Sequence, residues 1–224
     1  MNSFAGEQPA APGYLALPES GSGPGVLVLH AWWGLTPFFK DLCERLAEAG
    51  FVALAPDLYG GPTANTIEQA EQLLDKSDYE AIRQRVVDAV EYFQQSSAVE
   101  GDGLGAIGFS LGAAWALLLS DLLPEIVRAV VVFYGSESVD FARANAAYLG
   151  HYCENDEWEP KEGVLQMEAD MIAAGKRVEF HFYPDTRHWF FESDRPEFNA
   201  AAAQLAWDRT LEFLRRTLTR PANH

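Results

Sequence analysis

Apolar positions along this chain fall into short blocks of two kinds that alternate from end to end. Val26–His30 is a near-continuous apolar run, the form expected of a strand covered on both faces. Thr36–Ala49 instead places Phe39, Leu42, Leu46 and Ala49 on one side of a helix, with Gly50 as its stop. The same alternation recurs downstream. Strands are predicted over Gly13–Leu17, Phe51–Ala55, Leu104–Phe109, Val127–Tyr134 and Ala147–Tyr152. Helices are predicted over Asp78–Gln94, Gly112–Leu122 (apolar nearly all round, hence buried), near Gly163–Ala174, and over Pro196–Leu218 with Trp207, Leu211, Leu214 and Leu218 in register. Val178–Tyr183 alternates, Val178, Phe180 and Phe182 on one face and Glu179, His181 and Tyr183 on the other, which predicts a strand near a sheet edge with one wet face. Strand and helix in regular alternation argue for an α/β fold: a mostly parallel sheet with helices on both faces, as one domain over residues 1–224.

Composition narrows the class. With 224 residues, 48% apolar and 22% charged, the chain can bury a substantial core. No apolar run is long enough to cross a bilayer. The opening MNSFAGEQPAAPG has neither a basic nor an apolar export region, so a cytoplasmic protein without membrane association is expected. Sixteen Lys and Arg against 33 Asp and Glu give a net charge of −17, the wrong sign for a nucleic-acid partner. Cys43 and Cys153 cannot form a disulfide framework, and no Cys/His ligand cluster accompanies them, so no structural metal is expected. Cys153 reads as a buried strand cysteine.

The candidate chemistry starts at Gly108-Phe109-Ser110-Leu111-Gly112, where an apolar strand ends and an apolar helix begins. A turn that tight tolerates only glycine two residues either side of its centre, and it lifts the Ser110 hydroxyl above the sheet. The Leu111 N–H, at the helix start, can then donate to an oxyanion. A serine hydroxyl needs a general base. Of five histidines, His224 is terminal, His181 faces the wet side of the late strand, and His30 and His151 belong to strands. His188 follows the last strand at the carboxyl edge of the sheet, where ligands gather in open α/β folds, and is the expected base. Asp156, after the strand ending near Tyr152, is the expected orienting acid, with Glu137, Asp140 and Asp185 as competitors. The second oxyanion donor is expected from His30-Ala31-Trp32-Trp33-Gly34, with Trp32 preferred and Trp33 the fallback. Trp33, Trp158, Trp189 and Phe190 crowd the same loops and could line a substrate pocket.

These residues resemble the dienelactone hydrolase family of α/β-hydrolases. The resemblance spans nearly the whole chain, through Val26–Gly34 (VLVLHAWWG), Gly50–Tyr59 (GFVALAPDLY), Gly108–Gly112, Asp156 with Pro160, and His188. It implies an α/β-hydrolase fold, hydrolysis of an ester or lactone of a small substrate without a cofactor, and Ser110, Asp156 and His188 as the triad. Three positions depart from the archetype, which has Cys where this chain has Ser110, Glu where it has Ala31, and Arg where it has Glu192. The archetype's Glu helps to ionise the thiol, which a serine served directly by His188 does not need. The Arg helps to clamp a substrate carboxylate, so its absence sets an anionic dienelactone apart from the expected substrates. Only Gly135–Ala146 separates two strands where lipases insert a lid, which favours small soluble esters. Two alternatives stay open: a thioesterase or acyltransferase with the same triad, and a non-catalytic binding protein on the hydrolase scaffold.

Overall fold

Seven strands and six helices alternate over residues 11–219, the part of the chain described by the computed structural model. The first ten residues, read above for an export signal, and His224 lie outside this range. The strands are β1 (Gly13–Ala16), β2 (Gly23–Leu29), β3 (Val52–Pro56), β4 (Val99–Phe109), β5 (Val127–Phe133), β6 (Ala147–Cys153) and β7 (Val178–Tyr183). They form one sheet in the order β1-β3-β2-β4-β5-β6-β7, and every neighbouring pair is parallel except β1 with β3. This is the mostly parallel α/β sheet expected from the alternating pattern.

The helices are α1 (Pro37–Glu48), α2 (Ile67–Asp75), α3 (Tyr79–Gln95), α4 (Leu111–Leu122), α5 (Lys161–Ala173) and α6 (Ala200–Leu218). Alternate residues of each central strand point to opposite layers. Val26, Val28, Val131 and Phe133 join α1 and α6 in one core, while Leu27, Leu29, Val130 and Val132 join α3, α4 and α5 in the other. Both faces of β2, β5 and β6 are therefore apolar, as a doubly covered sheet requires. Among the described residues no helix is long and apolar enough to cross a membrane.

Several boundaries differ from the predicted ones for local reasons. Helix α2, capped by the Thr66 side chain, is absent from the predicted elements although Ile67, Ala70 and Leu74 recur at helical spacing; only Ala70 of that stripe is buried, and Ile67 and Leu74 stay exposed. Helix α6 starts at Ala200, where the Asn199 side chain accepts from the Ala202 N–H, rather than at Pro196. β7 does lie at the sheet edge, but its second face is not wet throughout. Tyr183 is buried and His181 half-buried, because α6 covers that end: the Arg209 guanidinium donates to the Tyr183 hydroxyl at 3.1 Å.

Parallel strands deliver all their carboxyl ends to one edge. The turn after β2, Ser110 after β4, Tyr134 after β5, Asp156 after β6 and His188 after β7 meet there.

Candidate active site

Ser110 sits between β4 and α4 with φ 50° and ψ −112°, a strained backbone that only tight packing sustains. The two flanking glycines are required by contact. A Cβ on Gly108 would stand 2.2 Å from the Gly112 carbonyl oxygen, and one on Gly112 would stand 2.0 Å from that of Leu29. The Ser110 N–H is tied to the Phe133 carbonyl at 3.0 Å, which locks the turn onto the neighbouring strand.

Three side chains from three loops then form one line. His188 Nε2 lies 3.0 Å from Ser110 Oγ, and His188 Nδ1 lies 2.9 Å from each Asp156 carboxylate oxygen. A carboxylate only accepts, so Nδ1 carries the proton and Nε2 is left to accept from the serine hydroxyl. Both side chains of this hydrogen-bonded pair are hidden from solvent, His188 5% and Asp156 3% exposed. Asp156 is itself fixed: its Oδ1 accepts from the Trp158 and Glu159 N–H groups at 2.9 and 3.1 Å. Burial pushes its pKa up, but the bonds from His188 and these amides outweigh that, and the carboxyl is held below its usual range.

The loop bearing His188 is a series of closed turns: Thr186 Oγ1 donates to the Tyr183 carbonyl at 2.8 Å and the Phe190 N–H to the Arg187 carbonyl at 3.0 Å. Among the described residues, four non-glycines have positive φ: Ser110, Tyr134, Asp185 and Trp189. Three of them line the cavity above Ser110, so backbone strain gathers at this one place.

That cavity holds about 230 Å³ and reaches Ser110, Leu111, Trp32, Trp158, Trp189 and His188. Leu111 opens α4, so its N–H has no acceptor within the helix. Trp32 lies in the turn closed by the Gly34 N–H on the Ala31 carbonyl at 3.2 Å. Buried His30 anchors the same turn. Its Nε2 accepts from the Leu58 N–H at 3.0 Å and its Nδ1 donates to the Ala31 carbonyl at 2.7 Å, while burial lowers its pKa to about 4.

The aromatic residues divide. Trp158, 46% exposed, stands at the rim, with Trp32 and Trp189 behind it at ring distances of 5.2 and 5.6 Å. Trp33 and Phe190 do not reach the cavity, which corrects the expected pocket. Trp33 is buried behind Trp32 and carries the Arg195 guanidinium 4.1 Å over its ring, and Phe190 packs between Tyr134 and Tyr183 in the core. The competing acids lie elsewhere: Glu137 accepts from the Ser138 N–H, Asp140 from the Ala142 N–H, and Asp185 lines an adjacent cavity. The 135–146 connection carries no helix. Among the described residues, no group of three His, Cys, Asp or Glu side chains could hold a metal ion.

Two residues at the site, Tyr134 and Glu159, had no place in the sequence expectations. Tyr134 packs its ring 4.8 Å from that of His188 and donates to Glu192 Oε1 at 2.7 Å. Glu192 is fully buried, and its pKa is pushed up to about 8 by burial. Glu159, which bonds Ser136 Oγ at 2.6 Å, puts a carboxyl on the cavity wall. Glu159 stands three residues after Asp156, and that proximity is the one signal the sequence offers for it.

Comparison with known proteins agrees with this fold. The model of the dienelactone hydrolase family matches residues 11–218. A probable 2-oxo-3-(5-oxofuran-2-ylidene)propanoate lactonase from Bradyrhizobium sp is 32% identical, over 90% of this chain and 88% of the relative. Protein usf from Aquifex pyrophilus is 31% identical, over 92% and 94% of the two chains. The crystal structure of a putative dienelactone hydrolase from Klebsiella pneumoniae superposes with a TM-score of 0.78 at 25% identity, covering 89% of this chain and 90% of that one. The chain therefore belongs to the dienelactone hydrolase family and is a hydrolase of ester or lactone bonds.

Proposed function

We propose that this protein is a serine hydrolase in which Ser110, His188 and Asp156 act as a triad through an acyl-enzyme. Ser110 Oγ attacks the carbonyl of a small ester or lactone while His188 Nε2 takes its proton. Asp156 keeps the proton on Nδ1 and stabilises the imidazolium. The Leu111 and Trp32 N–H groups receive the developing oxyanion. His188 then returns its proton to the leaving alkoxide, or to the ring-opened alcohol of a lactone. In the second half it draws a proton from water, whose oxygen attacks the acyl carbon and releases the acid and Ser110.

The observation that carries this reading is the unbroken line from Ser110 Oγ through His188 to Asp156, at 3.0 and 2.9 Å, ending in a cavity. Family membership supports ester and lactone bonds as the target. The test is hydrolysis of p-nitrophenyl esters of increasing acyl length, wild type beside Ser110→Ala. Turnover in the wild type that the variant loses is expected, with a short-chain optimum matching about 230 Å³. Equal activity of the two proteins would remove Ser110 from the mechanism.

A further inference from the structure

Any ester attacked by Ser110 must place its substituents in the cavity above that residue or in the neighbouring one beyond Trp158, and the charges on those walls decide which substituents fit. The Ser110 cavity has one carboxylate, Glu159, and no Lys or Arg. The neighbouring cavity, about 550 Å³, shares Trp158, His188 and Trp189 with it and has Glu157, Asp185 and Glu197 against a single guanidinium, Arg187. The chain as a whole carries −17. A substrate carboxylate would enter a field of its own sign whichever way the ester lies.

Glu159 is the residue best placed to set this preference. Its backbone N–H is bonded to Asp156, and its Oε1 accepts from Ser136 Oγ at 2.6 Å, so the carboxyl is held at a fixed place on the wall rather than swinging in solvent. It is only partly exposed, so water screens it less than a surface carboxylate.

We infer that Glu159 is a specificity-determining residue, which makes the site select uncharged or cationic esters and lactones and reject those with a carboxylate near the scissile bond. This rests on the hydrolase reading above and names its substrate class.

Three p-nitrophenyl esters test it at pH 8: butyrate and the monoester of succinate, which are close in size, and the bulkier 4-(trimethylammonio)butyrate. In the wild type, kcat/KM for the succinyl ester is expected to be at least about tenfold below that for the butyryl ester, with the cationic ester equal or better. In Glu159→Gln the succinyl-to-butyryl ratio should rise about fivefold or more, and the cationic-to-butyryl ratio should fall. A wild type that prefers the succinyl ester, or ratios unmoved by the substitution, would overturn the inference. Salt gives a second measurement that needs no variant. Raising NaCl from 20 to 500 mM should narrow the wild-type gap, and an unchanged gap counts against a charge effect. Butyryl hydrolysis that persists in Ser110→Ala would instead overturn the catalytic reading, so the two failures are distinguishable.

Discussion

Among the described residues, two histidines, His151 and His188, have side-chain partners at both ring nitrogens, yet only one borders the candidate site. His151, in β6, has Tyr183 Oη 2.9 Å from Nδ1 and Thr210 Oγ1 3.1 Å from Nε2. His188 has Asp156 and Ser110 at similar distances. The partners of His151 are neutral hydroxyls, it is fully buried, and burial drives its pKa well below the ordinary value. The partners of His188 are a carboxylate and a strained serine, and its ring borders a cavity. A paired histidine is thus a common solution to burying an imidazole. Chemistry needs the acid that stabilises the charged form and an opening through which a substrate arrives.

The largest effects should come from breaking the His188 side of this contrast. Ser110→Ala and Asp156→Asn should each lower kcat/KM roughly a thousandfold or more while the fold stays intact by circular dichroism. Next comes Gly112→Ala, which touches neither histidine. Its Cβ would meet the Leu29 carbonyl oxygen at 2.0 Å, so it must displace the Ser110 turn. Activity should drop on the order of a hundredfold, together with a lower melting temperature. His151→Ala should show the opposite profile. Losing two buried hydrogen bonds and leaving a void costs about 2–4 kcal/mol, seen as a melting temperature lower by several degrees, while kcat of the folded protein stays within a few-fold.

The smallest effect sharpens the comparison through Glu192, the buried acid bonded to Tyr134, whose ring packs on that of His188. Its pKa is raised to about 8 in the folded protein, from the ordinary value of 4.5. The neutral form is favoured by folding, so its contribution to stability is present below pH 4.5 and is lost as pH rises toward 8. Glu192→Gln cannot ionise. The melting temperature of the variant minus that of the wild type should therefore grow between pH 5 and pH 8, by a few degrees. A difference independent of pH would mean that Glu192 does not titrate there.

Much of this was legible in the sequence, for physical reasons that differ by element. Strands β2 and β5, and β4 from Leu104 onward, announce themselves because a doubly covered strand must be apolar; the polar, exposed start of β4 at residues 99–103 gave no such signal. Gly108–Gly112 is legible because sterics leave no other residue at either end. The chain order of Ser110, Asp156 and His188 was readable because each follows a strand whose carboxyl end faces the same edge. Direction within a loop was not readable. Trp32 and Trp33 are adjacent and chemically alike, but the turn from Ala31 to Gly34 sends one to the cavity and buries the other under Arg195. Phe190 likewise turns inward because Trp189 takes φ 67°. Periodicity gives no warning of Tyr134 and Glu159, whose importance lies in what they touch across loops.

The most direct test of Ser110 as a nucleophile activated by His188 is covalent. Incubation with a fluorophosphonate ester, followed by peptide mass spectrometry, should find one adduct per chain on the peptide containing Ser110, with parallel loss of esterase activity. Labelling should slow by orders of magnitude in His188→Ala and stay near the wild-type rate in His151→Ala. An adduct on another residue, or undiminished labelling in His188→Ala, would contradict the mechanism.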